Sequence, residues 1–182
     1  MTRILLGLFM ISCRHEDCIE SPENDLVAEK VIKDYAIGGA MGAMFYMEAV
    51  TTMDLDVFVV FNDDLNLLPL QPIYDALKEK GYAPDEHERE CVNVAGTPVQ
   101  FLPAFSPLLA EALEHVRSFD YEGIPAKVLE AEYLAAICVQ TGRMKDRLRV
   151  QMFLSSDGFD KTKFEGLLDK FGMSKEKAQW LQ

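Results

Sequence analysis

The apolar positions of this chain follow two periods, and the switch between them marks out its elements. Ser21-Pro22-Glu23 supplies a hydroxyl for an N-cap, a proline for the first helical position and an acid in the first turn. Leu26, Val27, Val31 and Ile32 extend that start as one helical face to about Asp34. Tyr35-Ala36-Ile37 is a short apolar strand running into Gly38-Gly39. Residues 40–49 return to helical spacing, with Met41, Met44, Phe45 and Ala49 available to a core. Asp54 to Phe61, DLDVFVVF, is a strand, and Asn62-Asp63-Asp64 is a polar turn.

The same reading continues to the C-terminus. Pro69 opens a predicted helix to Lys80, with Ile73, Ala76 and Leu77 inward and Gly81 as its stop signal. Cys91 to Ala95 and Pro98 to Leu102 read as a hairpin around Gly96-Thr97. Ser106-Pro107 repeats the cap-plus-proline start, and a helix is expected from there to about Arg117. A short strand or hairpin is expected within Tyr121 to Leu129, around Glu122-Gly123. Residues 130–140 and 143–155 form two predicted helices separated by Thr141-Gly142. Lys161 to Phe171 and Lys175 to Leu181 are predicted as amphipathic helices. Mixed strands and helices thus come first and helices alone come last. That order predicts an α/β (α+β) fold, a small mixed sheet flanked by helices and followed by a C-terminal helical segment. The expected division is an N-terminal extension at 1–20, an α/β domain at 21–130 and a helical segment at 131–182 packed on it.

Composition narrows the class. At 182 residues and 49% hydrophobic, the chain has the length and the apolar content of one packed domain. A formal charge of −12 opposes long-range attraction to nucleic acid, because such binding rests on neutralising phosphates. Recognition of DNA sequence is therefore not expected, although a polyanionic ligand can still be held by a local basic patch and a metal. The four cysteines, Cys13, Cys18, Cys91 and Cys138, form no CxxC pair or zinc spacing and read as free thiols of a reducing, cytoplasmic setting. One feature points elsewhere. The apolar run Ile4 to Ile11 before Ser12-Cys13 has the look of a bacterial lipoprotein signal, but is too short to span a bilayer as a helix. Such a run also arises from a start codon placed too far upstream or from a strand or helix of the fold, and the signal reading ranks second to these. No membrane partner is expected.

The chemistry concentrates between Gly38 and Asp56. Side chains alternate along a strand, so Thr52, Asp54 and Asp56 project to one side, while Leu55, Val57, Val59 and Phe61 project to the other. Two neighbouring carboxylates repel each other, and a core has no use for them. A hard cation relieves the repulsion and keeps coordination positions open for phosphates. Gly38-Gly39 stands before a helix, where glycine permits close backbone approach and free N–H groups attract phosphate. A GG turn or a DxD alone is commonplace, as a plain turn or a solvated strand end. Together, in this order and with an apolar strand directly after Asp56, they point to a nucleoside triphosphate held with Mg2+ or Mn2+.

These residues resemble the DNA polymerase β-like nucleotidyltransferase superfamily, whose signature is a GG or GS turn, a helix and then Asp-x-Asp on a strand. Within it the chain is similar to small bacterial proteins related to the AbiEii-type nucleotidyltransferases. Gly38, Gly39, Thr52, Asp54 and Asp56 match their GG and Thr-x-Asp-x-Asp pattern. PVQFLPAFSPL and AEYLAAICVQTGRMKDRLRV resemble the later strand and the helix with a lysine-aspartate-arginine cluster. The resemblance spans roughly residues 22–155. It implies that Asp54 and Asp56 hold the metal, that an acceptor hydroxyl attacks the α-phosphate, and that pyrophosphate leaves. The acceptor, whether RNA, protein or small molecule, is not specified by the sequence.

Two features qualify that expectation. The superfamily usually supplies a third acid from a neighbouring strand, and here the comparable position is Gln100, an amide that ligates a hard cation more weakly and takes up no proton. Glu90 on the preceding strand is a substitute. A nucleotide-binding protein of the same fold with impaired turnover is therefore the alternative, and a toxin–antitoxin-type interaction module a further one. The basic run Arg143, Lys145, Arg147 and Arg149 places Lys145 and Arg149 on one helical face. It is read either as a solvated surface with Asp146 locally paired or as a phosphate-binding site in which Lys145 and Arg149 meet the triphosphate. Asp85 to Glu90 reads as a solvated approach to a strand, His115 as an ordinary helical residue, and Trp180 and the methionines as packing residues.

Overall fold

The structure is a computed structural model that describes residues 21–47, 52, 54–62, 70–86, 90–94, 96–121, 124–173 and 179. Its elements in chain order are α1 (Pro22–Ala28), β1 (Asp34–Ile37), α2 (Gly39–Ala43), β2 (Leu55–Val60), α3 (Gln71–Glu79), β3 (Ala83–Pro84), β4 (Cys91–Val94) and β5 (Thr97–Pro103). After these come α4 (Pro107–Glu114), β6 (Val116–Tyr121), β7 (Ile124–Leu129), α5 (Ala131–Thr141), α6 (Met144–Ser155) and α7 (Lys161–Lys170). Among the described residues this is a mixed α/β fold of seven strands and seven helices, as the order of elements predicted. The apolar run through Cys13, the helix start at Pro69, residues 87–89, the hairpin tip at Glu122-Gly123, the helix expected from Lys175 and Trp180 lie outside the described residues.

The strands form one mixed sheet in the order β3-β4-β5-β2-β1-β7-β6. β2 sits at its centre, antiparallel to β1 and parallel to β5. Alternation along β2 divides the interior in two. Leu55, Val57 and Val59 join Val99 and Phe101 of β5, with Leu26 of α1 and Ile73 and Leu77 of α3, in a core on one face. Phe58 points to the opposite face, where Leu108 of α4, Leu134 of α5, Val150 of α6 and Phe164 of α7 cover it. Asp56 and Gln100 share the parity of Phe58, so they belong to the helix-covered face. α5 is buried over almost its whole circumference, as a helix wedged between a sheet and two other helices must be.

Local chemistry sets the ends of the helices. The hydroxyls of Ser21 and Ser106 accept from the N–H groups of Asn24 and Leu109 at 3.3 and 3.1 Å, as the two Ser-Pro starts predicted. Gly81 and Gly142 take positive φ at the ends of α3 and α5. Three expected helices are shorter. The first stops at Ala28 rather than near Asp34: Lys30 has φ 60°, and Val31 and Ile32 donate back to the Leu26 carbonyl so that Ile32 re-enters the core beside it. The helix expected over 40–49 ends at Ala43, where i−3 hydrogen bonds tighten the chain. Phe45 and Tyr46 are then held by the ring of Phe119, at 4.9 and 5.5 Å, and the Tyr46 hydroxyl donates to the Leu129 carbonyl at 2.9 Å. The helix expected to reach Arg117 stops at Glu114, because Val116 to Tyr121 pairs with β7 as a full strand. Pairing with β7 overrides the weak helical preference of residues 115–117.

Glu23 is only 2% exposed, and one of its carboxyl oxygens has no hydrogen-bond partner. Burial pushes this carboxyl up to about 7, with Asp25 adding to the rise and backbone and Ser21 hydrogen bonds opposing it. The folded chain therefore keeps a proton here that the unfolded chain releases near its ordinary value of 4.5. Stability is expected to fall as pH rises between those two values, by up to ~3 kcal/mol. Thermal melts from pH 4 to pH 8 test this: the fall is expected in the wild-type protein and should be largely absent from Glu23→Gln.

Candidate functional site

Asp56 is the second residue of β2, Asp54 stands just before the strand, and the Thr52 hydroxyl donates to the Asp54 carboxylate. Thr52, Asp54 and Asp56 all open into one cleft of about 300 Å³. Parallel register sets Gln100 of β5 beside Asp56, and Gln100 lines the same cleft. Its amide nitrogen donates to a carboxylate oxygen of Glu90 at 3.1 Å, so the acid absent from position 100 stands one hydrogen bond away. The rest of the polar lining comes from α6 and the residue before it, with Arg143, Lys145 and Arg149. Acids from the sheet therefore share a single opening with bases from a helix.

The two glycines make room for the acid. Gly38 donates its N–H to the Asp56 carbonyl at 2.9 Å, which ties the end of β1 to β2 and leaves that N–H committed within the protein. A Cβ at Gly38 would fall 2.3 Å from the Phe58 ring. Gly39 has φ 57°, and a Cβ there would lie 1.7 Å from a carboxylate oxygen of Asp56. The backbone at Gly39 and the Asp56 side chain thus occupy space that no other residue type would leave open. α2 is only five residues long.

Charge is arranged around two aspartates in opposite ways. Burial raises the Asp56 carboxyl above its ordinary range, and the charge of Asp54 raises it further, against the pull of Arg143, Arg149 and Lys145. Asp146, fully buried, is the reverse case. Burial pushes it up, but hydrogen bonds from Arg143 and Thr141 and the charges of Arg143 and Arg149 outweigh burial and hold it below its ordinary value. Arg143 Nε and the Thr141 hydroxyl both lie 2.8 Å from one Asp146 oxygen, and an Arg149 terminal nitrogen lies 3.1 Å from the other. Arg149 also approaches Cys138 Sγ at 3.8 Å, and its Nε is buried without a hydrogen-bond partner. Burial raises the Cys138 thiol to about 11, so the sulfur there is neutral.

The basic run therefore divides. Arg143 and Arg149 are anchored on Asp146, Arg147 points away to the Gln179 carbonyl at 3.2 Å, and Lys145 has no ion-pair partner among the described residues. A second hollow of about 250 Å³ shares Asp56, Gln100, Arg143 and Arg149 with the first and continues between Leu102, Leu109 and Leu134. Gly39 borders this second hollow. Among the described residues no group of three or more His, Cys, Asp or Glu side chains is placed to hold a metal. The oxygen ligands gathered here are the two carboxylates and the Gln100 amide. Leu148 and Met152 also line the cleft, so Met152 is more than the packing residue expected of a methionine. Their spacing of four on α6 was the available signal. No helix among the described residues is long and apolar enough to cross a membrane.

Replacing Gly39 by alanine should cost roughly 1–2 kcal/mol from the left-handed backbone alone, plus the displacement of the Asp56 carboxylate. Gly81 also has positive φ, at 88°, but open space where its Cβ would stand. Urea denaturation is expected to show a larger loss for Gly39→Ala than for Gly81→Ala. Equal losses would mean that the carboxylate does not press on that backbone.

Scans against protein-family models and against curated proteins find no match for this sequence. Solved structures do match. The crystal structure of ANT(2″)-Ia in complex with adenylyl-2″-tobramycin aligns over 85% of this chain and 95% of its own, at 12% identity and a TM-score of 0.53. The solution structure of the antibiotic-resistance factor ANT(2″)-Ia covers 97% of this chain and 94% of its own, at 13% identity and a TM-score of 0.52. An antigenic nucleotidyltransferase-like protein from Paracoccidioides brasiliensis covers 85% and 86%, at 11% identity and a TM-score of 0.50. At these identities the likeness is one of architecture: the mixed sheet and its helices have the nucleotidyltransferase fold.

Proposed function

We propose that this protein is a metal-dependent nucleotidyltransferase that moves a nucleoside monophosphate from a triphosphate to a hydroxyl acceptor. The observation that carries the reading is the presence, in one cleft, of Thr52, Asp54 and Asp56 together with Arg143, Lys145 and Arg149. The fold it shares with structures such as the adenylyl-2″-tobramycin complex of ANT(2″)-Ia supports the same class of reaction. The finer resemblance to the AbiEii-type branch rests on Gly38, Gly39, Thr52, Asp54 and Asp56, and cysteine spacings without a CxxC pair or zinc pattern fit a cytoplasmic location.

The residues suit a hard divalent cation. Asp56 is held toward its protonated form by burial and by Asp54, and that is the strain Mg2+ or Mn2+ relieves. Asp54 and Asp56 would hold the ion, with the Gln100 amide beside them. When bound, such an ion neutralises charge that develops on the transferring phosphate. Lys145, the cation of the cleft without an ion-pair partner among the described residues, binds triphosphate oxygens, and Arg143 adds charge from its anchored position. Their work is mainly positioning and electrostatics. The acceptor oxygen forms its bond to the α-phosphate as the bond to pyrophosphate breaks. The hydroxyl proton needs a base, and Gln100 has no capacity for one. Glu90, hydrogen-bonded to the Gln100 amide, is the carboxylate on that side. The same position favours a second reading, a protein that binds nucleotide and turns it over slowly. The acceptor is an RNA, a protein or a small molecule.

Incubation with each labelled nucleoside triphosphate, Mg2+ and a total cellular extract should transfer label to an RNA, a protein or a small molecule. Asp54→Asn is expected to lower labelling by roughly 100-fold or more, beyond the usual loss from an outer-shell partner, while leaving the melting temperature near wild type. Wild-type labelling by that variant would refute the assignment. Gln100→Glu is expected to raise turnover relative to nucleotide affinity. Because Asp56 must lose a proton to take a cation, nucleotide affinity should weaken on acidification while the pH is still above the ordinary aspartate value of 3.8, and calorimetry at several pH values reads this directly.

A further inference from the structure

We propose that Leu148 and Met152, the apolar edge of α6, form the platform on which the nucleobase of the triphosphate lies. The inference rests on the nucleotide reading above and extends it from the phosphate end of the ligand to the other. Among the described residues three large hydrophobic side chains are prominently exposed, and two of them, Met144 at 88% and Leu148 at 67%, stand on this one helix. Met144, Leu148 and Met152 follow one another at intervals of four and make a continuous stripe. A single exposed leucine needs no explanation. Here two members of a stripe, Leu148 and Met152, line the same cleft as Asp54, Asp56 and Lys145.

The layout matches a nucleotide in polarity. Arg143 and Lys145 bring charge to the start of α6, and Leu148 and Met152 bring apolar surface one and two turns further along, where the charge of Arg149 between them is paired with Asp146. Lys145 and Met152 are seven residues apart on the helix, or about 10 Å at 1.5 Å per residue. A nucleobase is flat and presents weakly polar faces. Such a face gains from covering apolar side chains, and a methionine thioether makes favourable contact with aromatic rings. Core packing does not account for Leu148, which gives two thirds of its surface to solvent. A docked protein partner would also cover the stripe, and the test below separates that occupant from a base.

The full chain is titrated with tripolyphosphate and with ATP, each in excess Mg2+, and the two affinities are compared. In the wild-type protein ATP is expected to bind about tenfold more tightly than tripolyphosphate. In Leu148→Ser/Met152→Ser that ratio should collapse to within about twofold, with tripolyphosphate affinity unchanged. Retention of the full ratio in the variant overturns the proposal and leaves the stripe to a protein partner. Equal weakening of both ligands overturns it as well, because the stripe would then serve the fold or the phosphate end. Wild-type protein that binds tripolyphosphate and ATP equally well sinks the platform alone. Failure to bind either ligand sinks the nucleotide reading itself, and the platform with it.

Discussion

A carboxylate pressed against backbone is the constraint from which the rest of this site follows. Asp56 occupies the volume in which any side chain at residue 39 would begin, and the neighbouring Gly38 N–H holds the Asp56 carbonyl in place. β2 is thereby fixed on two sides, by β1 through this contact and by β5 through parallel pairing. With β2 fixed, alternation does the remaining work. The odd-numbered apolar residues feed one core, and the acid emerges on the face that the C-terminal helices cover. Loss of solvent on that face raises the Asp56 carboxyl, which makes the position hungry for positive charge.

Positive charge at α6 is itself organised by burial. Asp146 lies entirely inside, and an unpaired carboxylate there would be destabilising by several kcal/mol, about 3–5 where one partner of a buried pair is removed. Arg143, Arg149 and Thr141 satisfy it together, and in doing so they fix two guanidinium groups at the cleft. The arrangement is a division of labour within about two turns of helix. Two arginines are immobilised and contribute field, while Lys145, unpaired among the described residues, stays available on a flexible stem. Neither the acids nor the bases alone are unusual, and the chemistry lies in their being held in one cleft.

Much of this was legible in the sequence, for identifiable reasons. Ser-Pro starts, positive-φ glycines and period-two runs are local signals, so the caps at Ser21 and Ser106, the turn at Gly142 and the hairpin at Gly96 were readable without any tertiary information. So was the trio Thr52, Asp54 and Asp56, from alternation along a strand, while Gln100 stood out only through the resemblance to the nucleotidyltransferase superfamily. The misses were tertiary in origin. α2 breaks off because Phe45 and Tyr46 are claimed by the ring of Phe119, more than seventy residues away. β6 is a strand because β7 pairs with it, and Val116 alone did not announce that. Gly38 and Gly39, expected at phosphate, make space in the fold for a ring and an acid. No periodicity in one chain distinguishes those two uses, because both ask only for the absence of a Cβ.

The two hollows that meet at Asp56, Gln100, Arg143 and Arg149 carry a thermodynamic consequence. A molecule seated in either one alters the electrostatic environment of the other through side chains they hold in common. Their occupancies are therefore linked, and linkage is reciprocal: whatever factor the first guest imposes on the second, the second returns to the first. Two guests seated at once would be coupled through one aspartate and two arginines that border both hollows.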